Sequence, residues 1–187
     1  MSIRIGEVSL ESDQKKAFEP VSEGMHNAVC VDVEYLGWVT ETYEGDTKTV
    51  QKIRVVFETD DLMPDGSEGF DGEDISGRPK TIGKKYTLSQ HPKSNLSKHL
   101  EGWRGRPWSA EELDPNIGWD MEELLTMPAQ LLVKHTQITD ERTKAPKTIG
   151  LIETVLKGKD PKLTSSGHYV RVKDREGYVQ PGTSKPK

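Results

Sequence analysis

Basic and aromatic residues keep company along the middle of this chain. Trp38 and Tyr43 precede Lys48, Lys52 and Arg54; Arg78, Lys80, Lys84 and Lys85 lead into Tyr86; Arg142, Lys144 and Lys147 form a later group. Cationic side chains hold phosphates and aromatic faces stack on bases, the two contacts that bind single-stranded nucleic acid without reading its sequence. A lysine on a strand is more often solvated than ligated, and tryptophan and tyrosine are more often core than surface. The argument therefore rests on their co-location.

Other chemistries leave no matching pattern. There is no Gly-rich phosphate loop ending in Lys-Ser/Thr and no dinucleotide fingerprint. His26, His91, His99, His135 and His168 lack paired-ligand spacing. Ser89 lies near His91, but a triad is a matter of geometry and no nucleophile elbow surrounds it. Asp60, Asp61, Asp65, Asp71 and Asp74 lack the spacing of a calcium loop. The expectation is a non-enzymatic protein with no catalytic residue, metal or cofactor.

Charge and composition narrow the setting. The 187 residues carry 26 Lys+Arg against 31 Asp+Glu, a net charge of −5. Residues 58–74 hold eight acids and no base, whereas Lys157–Lys187 holds eight bases and three acids. An acidic total does not exclude a polyanion partner, because binding follows the local field. Cys30 is the single cysteine, which excludes an intrachain disulfide framework. No apolar run approaches a membrane span, and the start lacks the apolar stretch of a signal peptide. The expectation is a cytoplasmic protein with no membrane partner.

The elements that must position these residues follow from hydrophobic period. Alternation over 27–39 predicts a strand with Val29, Val31, Val33 and Tyr35 on one face. Glu44-Gly45-Asp46 marks a turn. A second strand over 48–59 sets Ile53, Val55 and Phe57 inside and Lys52 and Arg54 outside. The acidic segment 58–80 reads as a long loop, and a third strand spans 81–90. The period then changes: Leu96, Leu100 and Trp103 make one helical stripe. Residues 104–119 read as an irregular linker and Asp120 as the cap of a single turn. Strands over 129–136 and 148–156 follow, the last with Leu151 and Val155 inside. The fold class is mostly β with one short helix between strands 3 and 4, the element order of an OB-fold-like five-stranded barrel. The barrel domain is 24–157, flanked by a flexible arm 1–23 and a basic flexible tail 158–187, whose HYVRV segment at 168–172 is a candidate extra strand or docking segment.

The stretch from Tyr86 to Glu112, YTLSQHPKSNLSKHLEGWRGRPWSAEE, resembles a family of small bacteriophage proteins. In that family a Tyr-Thr-Leu-Ser strand precedes a His-x-Lys-Ser turn, and a Leu-containing helix ends in Trp-Arg-Gly-Arg-Pro. Gly24 to Ala28, Leu36-Gly37 and Leu124-Leu125 fit the same pattern, so the resemblance covers roughly 24–157. Gln90 stands where an apolar residue is usual, and Trp108 where Phe is. The resemblance implies a replication or recombination accessory factor acting on single-stranded DNA in the host bacterial cell. Phosphate contacts then fall to Lys52, Arg54, Lys84, Lys85, Arg104 and Arg106, and stacking to Trp38, Tyr43, Tyr86 and Trp108. The alternative is an adaptor, or an inhibitor of a host protein, that uses acidic residues 58–74. A third reading is a metal-dependent nuclease subunit using the same aspartates.

Overall fold

A computed structural model of the protein describes residues 19–69, 71–114 and 116–185; the Tyr43 side chain also lies outside the description. Five antiparallel strands, β1 (Gly24–Tyr43), β2 (Asp46–Leu62), β3 (Pro79–Thr87), β4 (Pro128–Thr139) and β5 (Pro146–Lys157), form one sheet in the order β3-β2-β1-β4-β5. Helix α1 (Asn95–Arg104), the four-residue α2 (Ala110–Leu113) and a 3₁₀ turn at Met121–Leu124 join β3 to β4. Among the described residues no helix is long and apolar enough to cross a membrane.

Each of the five predicted barrel strands is present, and most are longer than the hydrophobic pattern marks; the HYVRV segment at 168–172 forms no strand. β1 and β2 run on as a two-stranded ribbon to a tight turn where Glu44 and Gly45 both take positive φ, 50° and 88°. That is the conformation whose twist matches a hairpin. The acidic loop is shorter than expected, because β2 continues to Leu62 and β3 begins at Pro79.

The sheet is rolled but not closed. Lys84 Nζ donates across from β3 to the Ile152 carbonyl of β5. A Cβ built on Gly150 would stand 3.3 Å from Ile82 Cδ1. No ladder joins these two edge strands, and a groove of about 720 Å³ remains between them.

Inside the roll, Ala28, Cys30, Ile53, Val55, Phe57, Leu131, Val133, Ile152 and Val155 are buried. α1 plugs it with Leu96, Leu100 and Trp103, the stripe expected from the sequence. Trp103 packs 5.1 Å from Phe57, centroid to centroid, and its Nε1 donates to the Pro128 carbonyl at 2.8 Å. Ser94 caps the helix by accepting from Ser97 N, and Gly105, at φ 70°, closes it in the left-handed conformation. A Cβ on Gly102 would lie 3.0 Å from the Val155 carbonyl, so glycine lets the helix sit directly on β5.

Two expected core assignments are corrected, each by a bulge. Pairing in β1 shifts between Cys30 and Asp32. Ala28 and Cys30 therefore face inward before the shift, and Val33 and Tyr35 after it, while Val29 and Val31 lie on the opposite face. In the β4–β5 ladder Leu132 faces Thr154 and Val133 faces Ile152, leaving Glu153 as the extra residue. Ile152 and Val155 both turn inward as a result, and Leu151 is 47% exposed.

The flanks are also corrected. Residues 1–18 of the expected flexible arm lie outside the described residues. Val21, at its end, is buried in the core; its carbonyl accepts from His135 Nε2 at 2.8 Å. The expected free tail instead lies across the outer face of β1 and β2. Leu163 and Tyr169 pack on Val29, Val31 and Val56. Ser166 donates through N and Oγ to Glu58 at 2.8 and 2.7 Å. Asp32 accepts from Arg171 Nε, Val172 N and Tyr169 Oη at 3.0, 2.8 and 3.3 Å. The segment is poor in apolar residues, but it covers three valines and supplies hydrogen-bond donors to the two carboxylates it buries.

Candidate nucleic-acid interface

The β2–β3 ladder pairs Arg54 with Lys85 and Lys52 with Thr87. Lys52 and Arg54 lie on the face opposite Ile53 and Val55, as the alternation implies, but neither head group is free. Lys52 Nζ donates to Thr87 Oγ1 at 2.9 Å and pairs with Glu41 at 2.8 Å. Arg54 Nη2 sits 2.6 Å from Glu34 Oε2, out of hydrogen-bonding alignment. Lys84 shares the inward face of β3 with Ile82 and Tyr86, so it does not join Lys52 and Arg54 on the outer face as the expected phosphate contact; burial lowers its pKa. Lys85 is exposed, with no ion-pair partner among the described residues.

Beyond β3 the chain turns tightly into α1. Ser94 N donates to the His91 carbonyl at 2.8 Å, Ser94 Oγ to the Ser89 carbonyl at 2.8 Å, and Lys93 N to His91 Nδ1 at 3.1 Å. These bonds fix Lys93, itself exposed, opposite the end of β3. Between the two walls lies a cleft of about 390 Å³ lined by Lys52, Lys85, Lys93 and the polar side chains of Thr87, Ser89 and Asn95. It opens at the N-terminal end of α1, where the helix dipole adds positive potential.

Next to it, sharing Ser89 and Leu96, is a pocket of about 270 Å³ walled by Leu88, Leu100, Trp108, Trp119 and Met121. The two indoles meet edge to face, 5.7 Å apart at 74°. Their N–H groups are anchored, Trp108 on Ser97 Oγ at 2.7 Å and Trp119 on Glu123 Oε2 at 2.9 Å. The Arg104 guanidinium lies 4.5 Å from the Trp108 centroid and 5.0 Å from that of Trp119. One carboxylate, Glu112, holds both arginines of the Trp-Arg-Gly-Arg run. Hydrogen bonds from Arg106 and Arg104 keep that carboxyl well below the usual range. Glu112 also completes the Ser109 capping box of α2.

The remaining candidates are dispersed. Tyr86 is buried, its hydroxyl 2.9 Å from His99 Nδ1, and so presents no stacking face. Trp38 lies under the tail: its Nε1 donates to the Thr183 carbonyl at 2.9 Å, and Lys185 Nζ is 5.9 Å from the ring centroid. Lys80 is buried against Asp61 at 3.2 Å, and Arg78 grips Glu73 at 2.5 Å. Lys48 on the β1–β2 ribbon, and Lys144 and Lys147 at the β4–β5 turn, are exposed but line neither cavity. Tyr43 is the last residue of β1 by its backbone, paired with Asp46 beside the turn. Of the proposed set, the cleft thus gathers Lys52, Lys85 and Tyr86, and the adjoining pocket Trp108.

Lys93 and Trp119 complete the site from outside the expected set of contact residues. Lys93 was legible in the His-x-Lys-Ser turn, and Trp119 only through its contact with Trp108. In the acidic segment, Glu58, Asp60, Asp61 and Glu73 are engaged by Ser166, His26, Lys80 and Arg78. Among the described residues no group of three or more His, Cys, Asp or Glu is arranged to hold a metal ion. No protein-family model matches the chain, and neither a curated protein nor a solved structure matches it.

Proposed function

We propose that this protein binds single-stranded DNA without catalysis, on an OB-type barrel, as a bacteriophage replication or recombination factor in the cytoplasm of the host cell. One observation carries the reading: a cleft lined by Lys85, Lys93 and the Glu41-paired Lys52, with no carboxylate in its lining, runs directly into a tryptophan-walled pocket. Phosphate tracking and aromatic contact are thereby adjacent, as sequence-tolerant strand binding requires. The barrel assignment is supported by the strand order, the helix between β3 and β4, and the approach of β3 to β5. The adaptor reading draws less support, because much of the acidic segment is engaged within the chain.

The test is a titration of labelled dT oligomers across salt concentrations. Each phosphate neutralised on a single strand contributes about −0.7 to the log–log salt slope. Lys85→Ala with Lys93→Ala should therefore flatten the slope by about 1.4 relative to wild type. Lys48→Ala, outside the cleft, should change it little. Absence of dT binding by the wild-type protein at low salt would overturn the reading.

A further inference from the structure

The lysine cleft alone does not account for the tryptophan-walled pocket beside it. At about 270 Å³ it lies just below the roughly 300–1,000 Å³ usual for ligand pockets, a size suited to one planar group. Trp108 and Trp119 are held by their indole N–H bonds and braced by Arg104, whose side chain is only 5% exposed. The walls are therefore formed before any ligand arrives. The pocket is not wholly apolar: Ser89 and Gln90 are in its wall, and Gln90 Nε2 donates to the Glu112 carbonyl at 2.8 Å, which orients the amide. Among the described residues no carboxylate lines the pocket or the cleft beside it.

Resting on the single-stranded DNA reading, we infer that this pocket takes one unstacked nucleobase while the phosphates beside it lie on Lys85 and Lys93. An aliphatic or aromatic anchor of a protein partner would use the same apolar walls. It would have no use for a lysine cleft opening from the same edge, whereas a nucleotide carries a flat ring and an anion within one residue of each other. Charge complementarity therefore selects the nucleotide.

The experiment compares two probes on the full-length protein: a short dT oligomer, and an all-abasic oligomer of equal length with the same phosphates. The chain has four tryptophans, so the indole N–H signals can be followed one by one by NMR. The dT oligomer should shift the Trp108 and Trp119 signals and leave buried Trp103 in place; the abasic oligomer should leave all three unmoved. The dT oligomer should bind about 5- to 150-fold tighter than the abasic one, the factor expected for one stacked base. Trp119→Leu should bring that ratio towards one at an unchanged salt slope, and Trp119→Phe should keep most of it. Thermal melts show whether each variant folds; if Trp119→Leu does not, the two probes and Trp119→Phe still carry the test. Equal binding of both oligomers with unmoved Trp108 and Trp119 signals would overturn the inference alone and leave the pocket to a protein anchor. Binding of neither oligomer at low salt would overturn the DNA reading, and this inference with it.

Discussion

Glu112 shows how a single carboxylate can organise a surface. It caps α2, holds Arg106 and fixes Arg104 beside two indoles. Its pKa is depressed, so its stabilising contribution is complete above the ordinary glutamate value of 4.5 and is lost as pH falls from there through the depressed value. Thermal melts of wild type and Glu112→Gln should differ near neutrality and converge in acid; a constant difference would contradict the assignment. Cys30 makes a second test at this scale. Burial pushes its thiol up to about 12, so thiol reagents should fail to label the native protein at pH 8 and label it once unfolded. Phe57 and Trp103 meet at the centre of the core, and Phe57→Ala should cost about 3–5 kcal/mol in a denaturant titration.

Among the elements, the C-terminal segment is the clearest case of a part whose role lies in what it covers. Asp32 is 1% exposed and Glu58 2%, both beneath residues 163–172. Arg171 also forks onto Glu122 at 2.7 and 2.8 Å, tying the segment to the 3₁₀ turn before β4. Arg171→Ala leaves the Asp32 carboxylate without its guanidinium, and breaking such a buried pair costs about 3–5 kcal/mol. Truncation after Lys157 should uncover Val29, Val31 and Val56, lower the melting temperature and raise the binding of an apolar dye. A truncated chain that melts like wild type would show the docking to be energetically neutral. The same segment ends on the β1 ribbon, where Pro181 Cβ lies 2.8 Å from the position of a Cβ on Gly37. Gly37 also takes φ 78°, so Gly37→Ala should strain β1 locally and release the end of the tail while leaving the distant core intact. Its signature would be a changed Trp38 indole N–H signal with Trp103 unmoved.

Across the whole molecule, two sheet edges approach without pairing, and Lys84 spans them. Its ammonium answers one Ile152 carbonyl that a closed ladder would have given to a backbone N–H. Lys84→Met removes that donor, so it should raise hydrogen exchange in β3 and β5 and leave β1 and β2 little changed. The opposite pattern would place the seam elsewhere. The basic character of the molecule is also redistributed by folding. Arg54, Arg78, Lys80, Arg104 and Arg106 all meet carboxylates, so Lys85 and Lys93 stand out against a chain of negative net charge.

Period and punctuation in the sequence were enough to locate the five strands, α1 and the Asp120 turn, but not α2, which lies within the stretch read as an irregular linker. Alternation, a helical stripe and capping residues are local properties that need no knowledge of a partner. They also placed Phe57, Leu100 and Trp103 in the core and Lys52 opposite Val55. Three matters were decided only by tertiary structure, for one reason: each depends on which residues meet across long sequence separations. Bulges at Val31 and Glu153 reversed the faces of β1 and β5, since a one-residue slip moves every later side chain to the other side. Docking of residues 163–185 partly covered Trp38, and ion pairing occupied Arg54, Arg78, Arg104 and Arg106. The candidate site is assembled from the end of β3, the Lys93 turn and a tryptophan pair separated by α2, so composition supplied its residue types and the fold selected its members.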